Sequence, residues 1–428
     1  MKKTFLLSCL MLAAMPVMAA YTGHVYVDKN KNGVFDQSEK PLAGIKVSDG
    51  LNVVETAADG SFTLPGHERE RFIFITTPSG YKTFNRHYHK IEKKQSGYDF
   101  GLIPYSGRIR KDGSHRYIHI TDTEIFNTEN HADWVNNVHD YARNEQAAFI
   151  IHTGDLCYEK GLKAHIKLMN TENMDCPVFY CIGNHDLVKG KYGEELFESI
   201  YGPVYYSFDA GNVHYVVTPM SGGDHAPGYT SDDVCRWLKN DLAHIRPGTP
   251  VVVFNHDLLT YEDTFIFKSK NAGSINLNEY NLKAWVYGHW HINYMKKQGD
   301  VYSVCTSSLD KGGIDHSTTA FRVMHVDSKG DFTSELRYTY LDKNICIASP
   351  AGVMASGVLP VAVNVYSSVS PVREVLYTCL ADGKPVLKNK RLLQSTDWSW
   401  NGELPLSHKY VGKELTLRVT ARFNNGEI

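Results

Sequence analysis

Between residues 117 and 255, short apolar runs alternate with longer amphipathic stretches, and this alternation restricts the possible folds more than any other feature of the sequence. Strands that alternate with helices form mainly parallel sheets whose faces are covered by those helices. The segment therefore predicts an α/β domain. We expect strands Tyr117–Thr121, Ala147–His152, Pro177–Ile182 and Val251–Asn255, a hairpin of Tyr205–Phe208 with His214–Val217, and helices His131–Asn144, Leu162–Asn173 and Asp232–Ile245, the last with Ser231 as its N-cap.

The flanking segments lack this alternation and consist of short β-type runs separated by turn residues such as Asp-Gly pairs. Such runs are typical of small all-β sandwiches. A chain of 428 residues is also long enough for several hydrophobic cores. We therefore predict a leader at residues 1–19, an N-terminal β-sandwich at 20–103, the α/β domain at 104–335 and a C-terminal β-sandwich at 336–428.

The first residues have the features of a secretory signal peptide. Lys2 and Lys3 precede an apolar run, and Val17-Met18-Ala19 is a small-residue cleavage pattern. We expect an exported protein, periplasmic or extracellular, without a transmembrane segment, because no apolar run is long enough to span a bilayer. Cleavage after Ala19 removes two lysines and takes the formal net charge from −2 to −4. This acidic balance disfavours a nucleic-acid partner.

Polar clusters follow five predicted strands, the four above and a further strand, Ala284–Tyr287. Because the carboxyl ends of parallel strands meet at one edge of a sheet, we expect these clusters to converge. Their carboxylate, amide and imidazole groups suit two borderline divalent ions that share one carboxylate. The clusters are Asp122-Thr123-Glu124, Gly154-Asp155, Gly183-Asn184-His185-Asp186, Asn255-His256-Asp257 and Gly288-His289-Trp290-His291.

The order of these clusters resembles the calcineurin-like metallophosphoesterase superfamily, whose blocks are Asp-x-His, Gly-Asp, Gly-Asn-His-Asp/Glu, His and Gly-His-x-His. Four of the five blocks match, over about half of the chain. The resemblance implies a four-layer sandwich of two mixed β-sheets flanked by helices. It further implies the following roles: Asp122 and His291 on a first metal ion, Asp155 bridging, Asn184, His256 and His289 on a second metal ion, and His185 as the catalytic imidazole.

The resemblance also implies a function. We expect an exported phosphoesterase that hydrolyses a phosphate mono- or diester with two divalent or mixed-valence ions, Mn, Fe, Zn or Mg. A metal-bridging hydroxide attacks phosphorus and His185 stabilises or protonates the leaving oxygen. Asp186 either orients His185 or caps the next helix.

The substrate class is a phosphorylated small molecule, lipid or glycan, and the oligomeric state is open. The alternative is a catalytically impaired cell-envelope binding protein that retains the fold.

One position departs from the family pattern, because Glu124 stands where the first block has histidine. Either Glu124 is a ligand, which favours Mn, Fe or Mg at that site, or Tyr158 completes it. The second interpretation rests on Gly154-Asp155-Leu156-Cys157-Tyr158, which resembles the Gly-Asp-x-x-Tyr block of purple acid phosphatases, whose tyrosinate binds ferric iron. We favour Glu124 and assign no ligand role to Cys157 or Cys181.

Two loops either shape the pocket or are ordinary surface connections. They are Ser221–Tyr229, with Asp224 and His225, and Lys311–His316. For any single residue of such a loop, a place in an ordinary surface connection is the more common role.

A twelve-residue calcium-type loop lies near the N-terminus. It has oxygen donors at its first, third, fifth, ninth and twelfth positions, glycine at the sixth, and a backbone carbonyl at the seventh. A strand rather than a helix enters the loop, and the segment resembles the calcium-stapled B-type repeats of bacterial surface proteins. The predicted ligands of a structural Ca²⁺ are Asp28, Asn30, Asn32, Val34, Asp36 and Glu39.

Overall fold

The structure, a computed structural model, describes residues 20–95, 97–341, 343–352 and 357–428. The predicted signal peptide at residues 1–19 lies outside the described residues. Within the described ranges, no helix has the length and apolar character needed to cross a membrane.

The N-terminal segment forms two small β-sheets. One has the strand order β2-β1-β9-β7 with β5 paired to β1, and the other has the order β4-β3-β6-β8. Alternating residues of both sheets bury one apolar cluster that includes Val25, Phe62, Ile73 and Phe100. The strands are β1 Tyr21–Val27, β2 Lys40–Pro41, β3 Lys46–Ser48, β4 Val53–Glu55, β5 Ser61–Leu64, β6 Phe72–Ile75, β7 Tyr81–Thr83, β8 Tyr88–Lys90 and β9 Phe100–Pro104.

The central segment contains two larger mixed sheets and the helices. The first sheet has the order β12-β11-β10-β21-β22, and the second has the order β13-β14-β15-β18-β20-β19. Its strands are β10 His115–Ile120, β11 Phe149–His152, β12 Val178–Tyr180, β13 Tyr206–Ala210, β14 Val213–Val217, β15 Val251–Phe254, β16 Ile266–Phe267, β17 Ile275–Asn276, β18 Leu282–Tyr287, β19 Tyr294–Gln298, β20 Val301–Cys305, β21 Ala320–Val326 and β22 Phe332–Tyr338. Its helices are α1 Ala132–Asn144, α2 Tyr158–Leu168, α3 Glu195–Tyr201 and α4 Ser231–Ala243, with 3₁₀ turns at Asn184–Asp186 and Leu277–Tyr280.

Aromatic side chains join the two central sheets. The ring of Tyr117 on β10 lies 5.7 Å from that of Phe254 on β15, and Phe149 on β11 lies 4.9 Å from Phe208 on β13. The opposite face of the first sheet is covered by Trp134 and other residues of α1. Central parallel strands are therefore buried on both sides, which explains why they read as continuous apolar runs.

Helices α2 and α4 differ from their predicted bounds. Helix α2 ends at Leu168, before the predicted Asn173, because the Asn173 side-chain amide donates to the carbonyls of Lys167 and Leu168 at 3.3 and 2.9 Å and so terminates the helix. Helix α4 is capped by Thr230, not Ser231: the Thr230 hydroxyl accepts from the backbone of Asp233, whose carboxylate accepts from the Thr230 N–H in return.

The C-terminal segment is all β apart from one 3₁₀ turn, His408–Tyr410, within the described residues. Its sheets have the orders β23-β24-β28-β27 and β26-β25-β29, and they enclose a common apolar cluster that includes Val363, Val375 and Trp400. Strand β22 of the central domain runs to Tyr338, past the predicted boundary at residue 335, because it stays paired with β21 along its whole length. The strands are β23 Asn344–Ser349, β24 Gly357–Tyr366, β25 Val372–Ala381, β26 Lys384–Arg391, β27 Leu393–Gln394, β28 Ser399–Leu406 and β29 Leu415–Phe423.

Candidate metal centre

The five polar clusters of the sequence meet at one edge of the two central sheets. Asp122 follows β10, Asp155 follows β11, the 3₁₀ turn with Asn184 and His185 follows β12, His256 follows β15, and His289 and His291 follow β18. Strands β10, β11 and β12 run parallel, as do β15 and β18, so their carboxyl ends face the same way. The fold therefore brings together residues that are up to 169 positions apart in the printed sequence.

Asp122 presents one unpaired oxygen to this edge. Its Oδ2 accepts hydrogen bonds from the Thr121 hydroxyl at 2.7 Å and from the His289 backbone N–H at 3.0 Å. Its Oδ1 is buried and has no hydrogen-bond partner among the described residues. Because a buried carboxylate oxygen is costly unless it is paired or binds a metal ion, this atom fits a cation site.

A second group surrounds His256. Its Nε2 lies 3.1 Å from Asp155 Oδ2 and 3.1 Å from Asn184 Oδ1, while its Nδ1–H donates to the Thr153 carbonyl at 2.7 Å. The bond to Thr153 fixes the ring and aims Nε2 at the carboxylate edge. Ligand atoms of Asp155, His256 and His289 all lie within 4.8 Å of one another. These donors fit a divalent cation in chemistry and spacing.

His291 and Glu124 lie on the other side of Asp122. The His291 Nε2 is 3.4 Å from Asp122 Oδ1 and 3.4 Å from Glu124 Oε1. The ammonium of Lys311 forms a salt bridge with Glu124 Oε2 and a 3.3 Å hydrogen bond with the Glu124 carbonyl. The Glu124 carboxylate thus lies beside His291 and Asp122, and its role as a metal ligand stays a prediction.

The backbone of the site is strained. Left-handed conformations are rare for residues other than glycine and cost about 1–3 kcal/mol each, so their clustering marks a functional site. Residues with positive φ are Asp122 (50°), Glu124 (46°), Asp155 (57°), Cys157 (68°), Tyr158 (58°), His289 (65°) and His291 (49°).

Two glycines allow the loops to approach each other. A Cβ on Gly183 would lie 2.2 Å from Asp155 Oδ1, and a Cβ on Gly288 would lie 1.9 Å from the Thr121 hydroxyl and 2.6 Å from Asp122 Oδ2. Any larger residue would displace the carboxylates.

The electrostatic field of the site favours positive charge. Burial opposes protonation of His256, but attraction to Asp155 and Asp122 outweighs it and raises the pKa to about 10. The Asp122 carboxylate, whose Oδ1 lies 3.4 Å from His291 Nε2, raises the pKa of His291. Burial pushes the pKa of Asp155 upward, yet His256 leaves it below its ordinary value. Either bound protons or metal cations would neutralise the negative charge of these carboxylates.

His185 is oriented by Asp224, which the sequence did not single out as a site residue. Burial lowers the pKa of His185, but a 2.8 Å hydrogen bond between its Nδ1 and Asp224 Oδ2 helps to raise it above the ordinary value. Asp224 lies in the 221–229 loop, and its own backbone N–H donates to the Asn184 carbonyl at 3.1 Å. This contact favours the interpretation that the loop shapes the pocket, and the glycines around Asp224 were the available signal.

Asp186 does not contact the His185 ring, so its predicted role in orienting His185 was wrong. Its fully buried carboxylate accepts backbone N–H groups of Asp155 at 2.9 Å, Cys157 at 3.0 Å and Gly183 at 2.9 Å. The alternative capping role is closer to the structure, although Asp186 caps its own 3₁₀ turn. It fixes the loop that carries Asp155.

Two family models match this chain. Residues 29–104 match the model for the N terminal of calcineurin-like phosphoesterase, and residues 115–293 match the model for calcineurin-like phosphoesterase itself. The second match contains every predicted metal ligand of the central domain. The chain belongs to the calcineurin-like metallophosphoesterase superfamily. The match confirms the superfamily that the ordered polar blocks of the sequence predicted.

A curated relative of this metallophosphoesterase is purple acid phosphatase 13 of Arabidopsis thaliana. The two are 26% identical over 215 residues, which cover 47% of this chain and 36% of the relative. The chain therefore spans about a third of the length of that relative.

Solved structures were also compared with the metallophosphoesterase. A novel archaeal phosphodiesterase shares 13% identity with a TM-score of 0.27, covering 52% of this chain and 99% of its own. Vacuolar protein sorting 29 from Cryptosporidium parvum shares 10% identity with a TM-score of 0.27, covering 68% of this chain and 98% of its own.

Tyr158 begins helix α2 at the rim of the metallophosphoesterase site. Its side chain is 43% exposed, and its ring centroid lies 5.3 Å from the His185 ring. Ligand atoms of Glu124, Asp155 and the buried Cys157 lie within 4.8 Å of one another, so Cys157 lies beside the site. Burial raises the pKa of the Cys157 thiol, with Asp155 adding to the effect, which keeps it protonated in this setting.

The donors of the predicted calcium loop are held by hydrogen bonds within the loop. Asp28 and Glu39 are buried, and Asp28 accepts the backbone N–H groups of Asn32 at 3.2 Å and Gly33 at 2.9 Å. Asp36 Oδ2 accepts the side-chain amides of Asn30 at 2.7 Å and Asn32 at 3.0 Å. The exposed Val34 donates its N–H to Asn32 Oδ1 at 2.8 Å.

Proposed function

We propose that this chain is an exported, metal-dependent phosphoesterase that hydrolyses a phosphate mono- or diester at a dinuclear metal centre. The observation that carries the proposal is the unpaired, buried Oδ1 of Asp122 at the meeting point of two donor groups. It lies within residues 115–293, which match the calcineurin-like phosphoesterase model. Superfamily membership supports hydrolysis of phosphoester bonds.

Two sets of residues would hold the ions. Asp122, His291 and Glu124 form the first set, and Asn184, His256 and His289 form the second, with Asp155 shared between them. The distances of 3.4 Å from His291 to Asp122 and to Glu124, and of 3.1 Å from His256 to Asp155 and to Asn184, support this division. Mn, Fe, Zn or Mg ions in such sites neutralise phosphate charge and lower the pKa of an attacking water.

The protein's own groups position the phosphate ester and handle the leaving-group proton. The bond from Nδ1 to Asp224 fixes the ring of His185, and its Nε2 has no hydrogen bond within the described part of the chain. His185 stabilises or protonates the departing oxygen from this nitrogen. Asp186 acts indirectly, since its bonds to the Asp155 and Cys157 N–H groups hold the loop that carries the shared carboxylate.

The substrate class is a phosphorylated small molecule, lipid or glycan. Support comes from the name of the curated relative, a purple acid phosphatase, although it matches over only part of its length. The predicted net charge of the mature chain disfavours nucleic acid as a partner.

Metal analysis combined with a substrate panel tests the function. Purified protein loaded with Mn²⁺, Fe, Zn²⁺ or Mg²⁺ is assayed on p-nitrophenyl phosphate and on its bis ester, beside the His185→Ala variant. We expect about two metal ions per chain, turnover of at least one ester, and loss of turnover with retained metal in the variant. Protein that binds two metals yet hydrolyses no ester of the panel would favour the catalytically impaired binding protein instead.

Export is supported by the sequence of residues 1–19 alone. Cell fractionation and N-terminal sequencing of the mature protein test it. We expect a mature N-terminus at Ala20 in an envelope or secreted fraction, which would support export. A chain that keeps Met1 and stays in the cytoplasmic fraction would refute export.

We also propose a structural Ca²⁺ in the loop from Asp28 to Glu39. No Lys, Arg or His nitrogen lies within 4.0 Å of the Asp28, Asp36 or Glu39 carboxylates in the described ranges. Buried carboxylates without a counter-charge favour a bound cation. The buried Tyr26 hydroxyl beneath the loop also lacks a partner among the described residues. Tyr26 faces this loop, because its ring lies 4.8 Å from that of Phe35.

A further inference from the structure

Two aromatic side chains are exposed beside the metal centre. Phe126 is 54% exposed and Tyr158 is 43% exposed. Their rings are nearly parallel, with an interplanar angle of 15° and centroids 6.4 Å apart. We call this pair the aromatic platform. Large apolar side chains that stay exposed next to a functional site are candidates for ligand contact.

The aromatic platform belongs to the same loops as the metal-site residues. Phe126 lies two positions after Glu124, and Tyr158 lies three positions after Asp155. The Tyr158 ring centroid is 5.3 Å from the His185 ring at an angle of 46°. A group that leaves phosphorus next to His185 therefore meets the platform.

The backbone holds the platform in place. Cys157 and Tyr158 are consecutive residues with positive φ, 68° and 58°, and the Cys157 N–H donates to Asp186 Oδ1 at 3.0 Å. On the Phe126 side, a Cβ on Gly161 of α2 would lie 2.6 Å from the Ile125 carbonyl, so helix and loop are in close contact. An exposed ring kept in a strained conformation indicates function rather than packing.

We propose that the aromatic platform binds a planar ring in the organic part of the substrate. This inference rests on the proposed function and narrows its substrate to phosphate esters whose leaving group carries an aromatic ring. Aromatic side chains stack on planar rings through offset or edge-to-face contacts, and one such contact commonly changes affinity about tenfold. A leaving group without a ring gains no such contact.

Two phosphate monoesters with similar alkoxide leaving groups test the proposal, because differences in chemical reactivity then cancel. We choose 2-phenylethyl phosphate and n-butyl phosphate with the metal-loaded protein. The expected KM is about tenfold lower for the phenylethyl ester, with similar kcat. Phe126→Ala and Tyr158→Ala are expected to reduce this KM ratio to about one. Tyr158→Phe keeps the ring and is expected to keep the ratio.

The Tyr158→Phe variant also separates stacking from metal binding, since metal content is measured alongside. A matched control is Trp398→Ala, which removes a 41% exposed aromatic residue in the C-terminal segment and is expected to leave both esters unaffected. A wild-type KM ratio near one, or a ratio that persists in Phe126→Ala, would overturn the aromatic platform while leaving phosphoester hydrolysis intact.

Binding of phosphonates separates failure of the platform from failure of the proposed function. If wild-type protein turns over neither of these esters and also neither p-nitrophenyl phosphate nor its bis ester, the proposed function fails. Calorimetric titration with 2-phenylethylphosphonate and n-butylphosphonate then decides the platform alone. About tenfold tighter binding of the phenylethyl compound, lost in Phe126→Ala, supports it, and equal binding refutes it.

Discussion

The Asp224 carboxylate lies 2.8 Å from Nδ1 of His185 and fixes the orientation of that imidazole. The two residues come from different loops, 39 positions apart, and the 221–229 loop lies against the metal-binding turn because Gly223 has no side chain to collide with the Asn184 carbonyl. The hydrogen bond occupies Nδ1 of His185 and leaves its Nε2 without a hydrogen bond among the described residues.

This contact predicts graded kinetic effects. Asp224→Asn keeps the size of the side chain but removes the negative charge that stabilises the His185 imidazolium, so kcat is expected to fall about tenfold. His185→Ala is expected to lower kcat by about 10²–10³. Metal content should stay at the wild-type value in both variants. Steady-state kinetics with metal analysis check this, and an Asp224→Asn variant with wild-type kcat would show that the contact is not used.

The unpaired oxygen of Asp122 predicts which carboxylate matters for metal binding. Asp122→Asn is expected to weaken Mn²⁺ binding by at least about tenfold, measured by equilibrium dialysis and by the Mn²⁺-induced rise in Tm. Asp257→Asn is the matched control, because that neighbouring carboxylate accepts from the Trp290 indole at 3.1 Å instead of facing the site. Equal metal binding by the two variants would contradict the assignment.

Glu124 and Tyr158 remain the two candidates for completing the first metal set. We expect Glu124→Ala to lose metal and Tyr158→Phe to retain it, since the Glu124 carboxylate lies 3.4 Å from His291 while the Tyr158 ring packs at the rim. Absorbance of iron-loaded protein gives an independent readout. A visible tyrosinate-to-iron band that persists in Glu124→Ala and vanishes in Tyr158→Phe would reverse the preference.

The Asp28–Glu39 loop predicts calcium-dependent stability. Ca²⁺ at about 100 times its Kd should stabilise the folded protein by about 2.7 kcal/mol, visible as a higher Tm. Asp28→Ala should abolish the rise, whereas Asp59→Ala should preserve it, because Asp59 merely closes an exposed turn with Ser61. A wild-type Tm that is indifferent to chelator would refute the site.

Buried His214 predicts a pH dependence of stability. Its Nδ1 lies 2.7 Å from Asp209 and its Nε2 lies 2.8 Å from Asp241. Burial lowers its pKa, but Asp241 and Asp209 raise it above the ordinary 6.5. The protonated form therefore stabilises the fold fully below pH 6.5, and this contribution is lost as pH rises through the raised pKa.

We therefore expect His214→Gln to cost about 3 kcal/mol of unfolding free energy at pH 6 and less at high pH, measured by urea denaturation. His115→Gln is the opposite control. Burial lowers the His115 pKa, so its neutral form stabilises the fold, and that contribution is lost as pH falls. If His214→Gln lowered the free energy of unfolding by the same amount at pH 6 and at high pH, the prediction would be contradicted.

Much of the site was predictable from local patterns. Strand carboxyl ends are marked by apolar runs that stop at polar residues, and the ordered blocks from Asp122 to His291 identified the superfamily. Long-range contacts were not predictable in this way. Asp186 could have faced either its neighbour His185 or the backbone, and the close approach of the 154–157 loop decided that it binds N–H groups.

The sequence by itself determined the residue types, the strand ends on which they stand and the spacing of the calcium-type loop, because these depend on neighbours along the chain. Tertiary structure alone decided that Asp224 and Lys311 join the site, that Asp122 retains one oxygen without a hydrogen bond, and that the exposed rings of Phe126 and Tyr158 lie nearly parallel. The physical reason is that these relationships depend on how the loops after separate strands pack together. No local propensity encodes such packing.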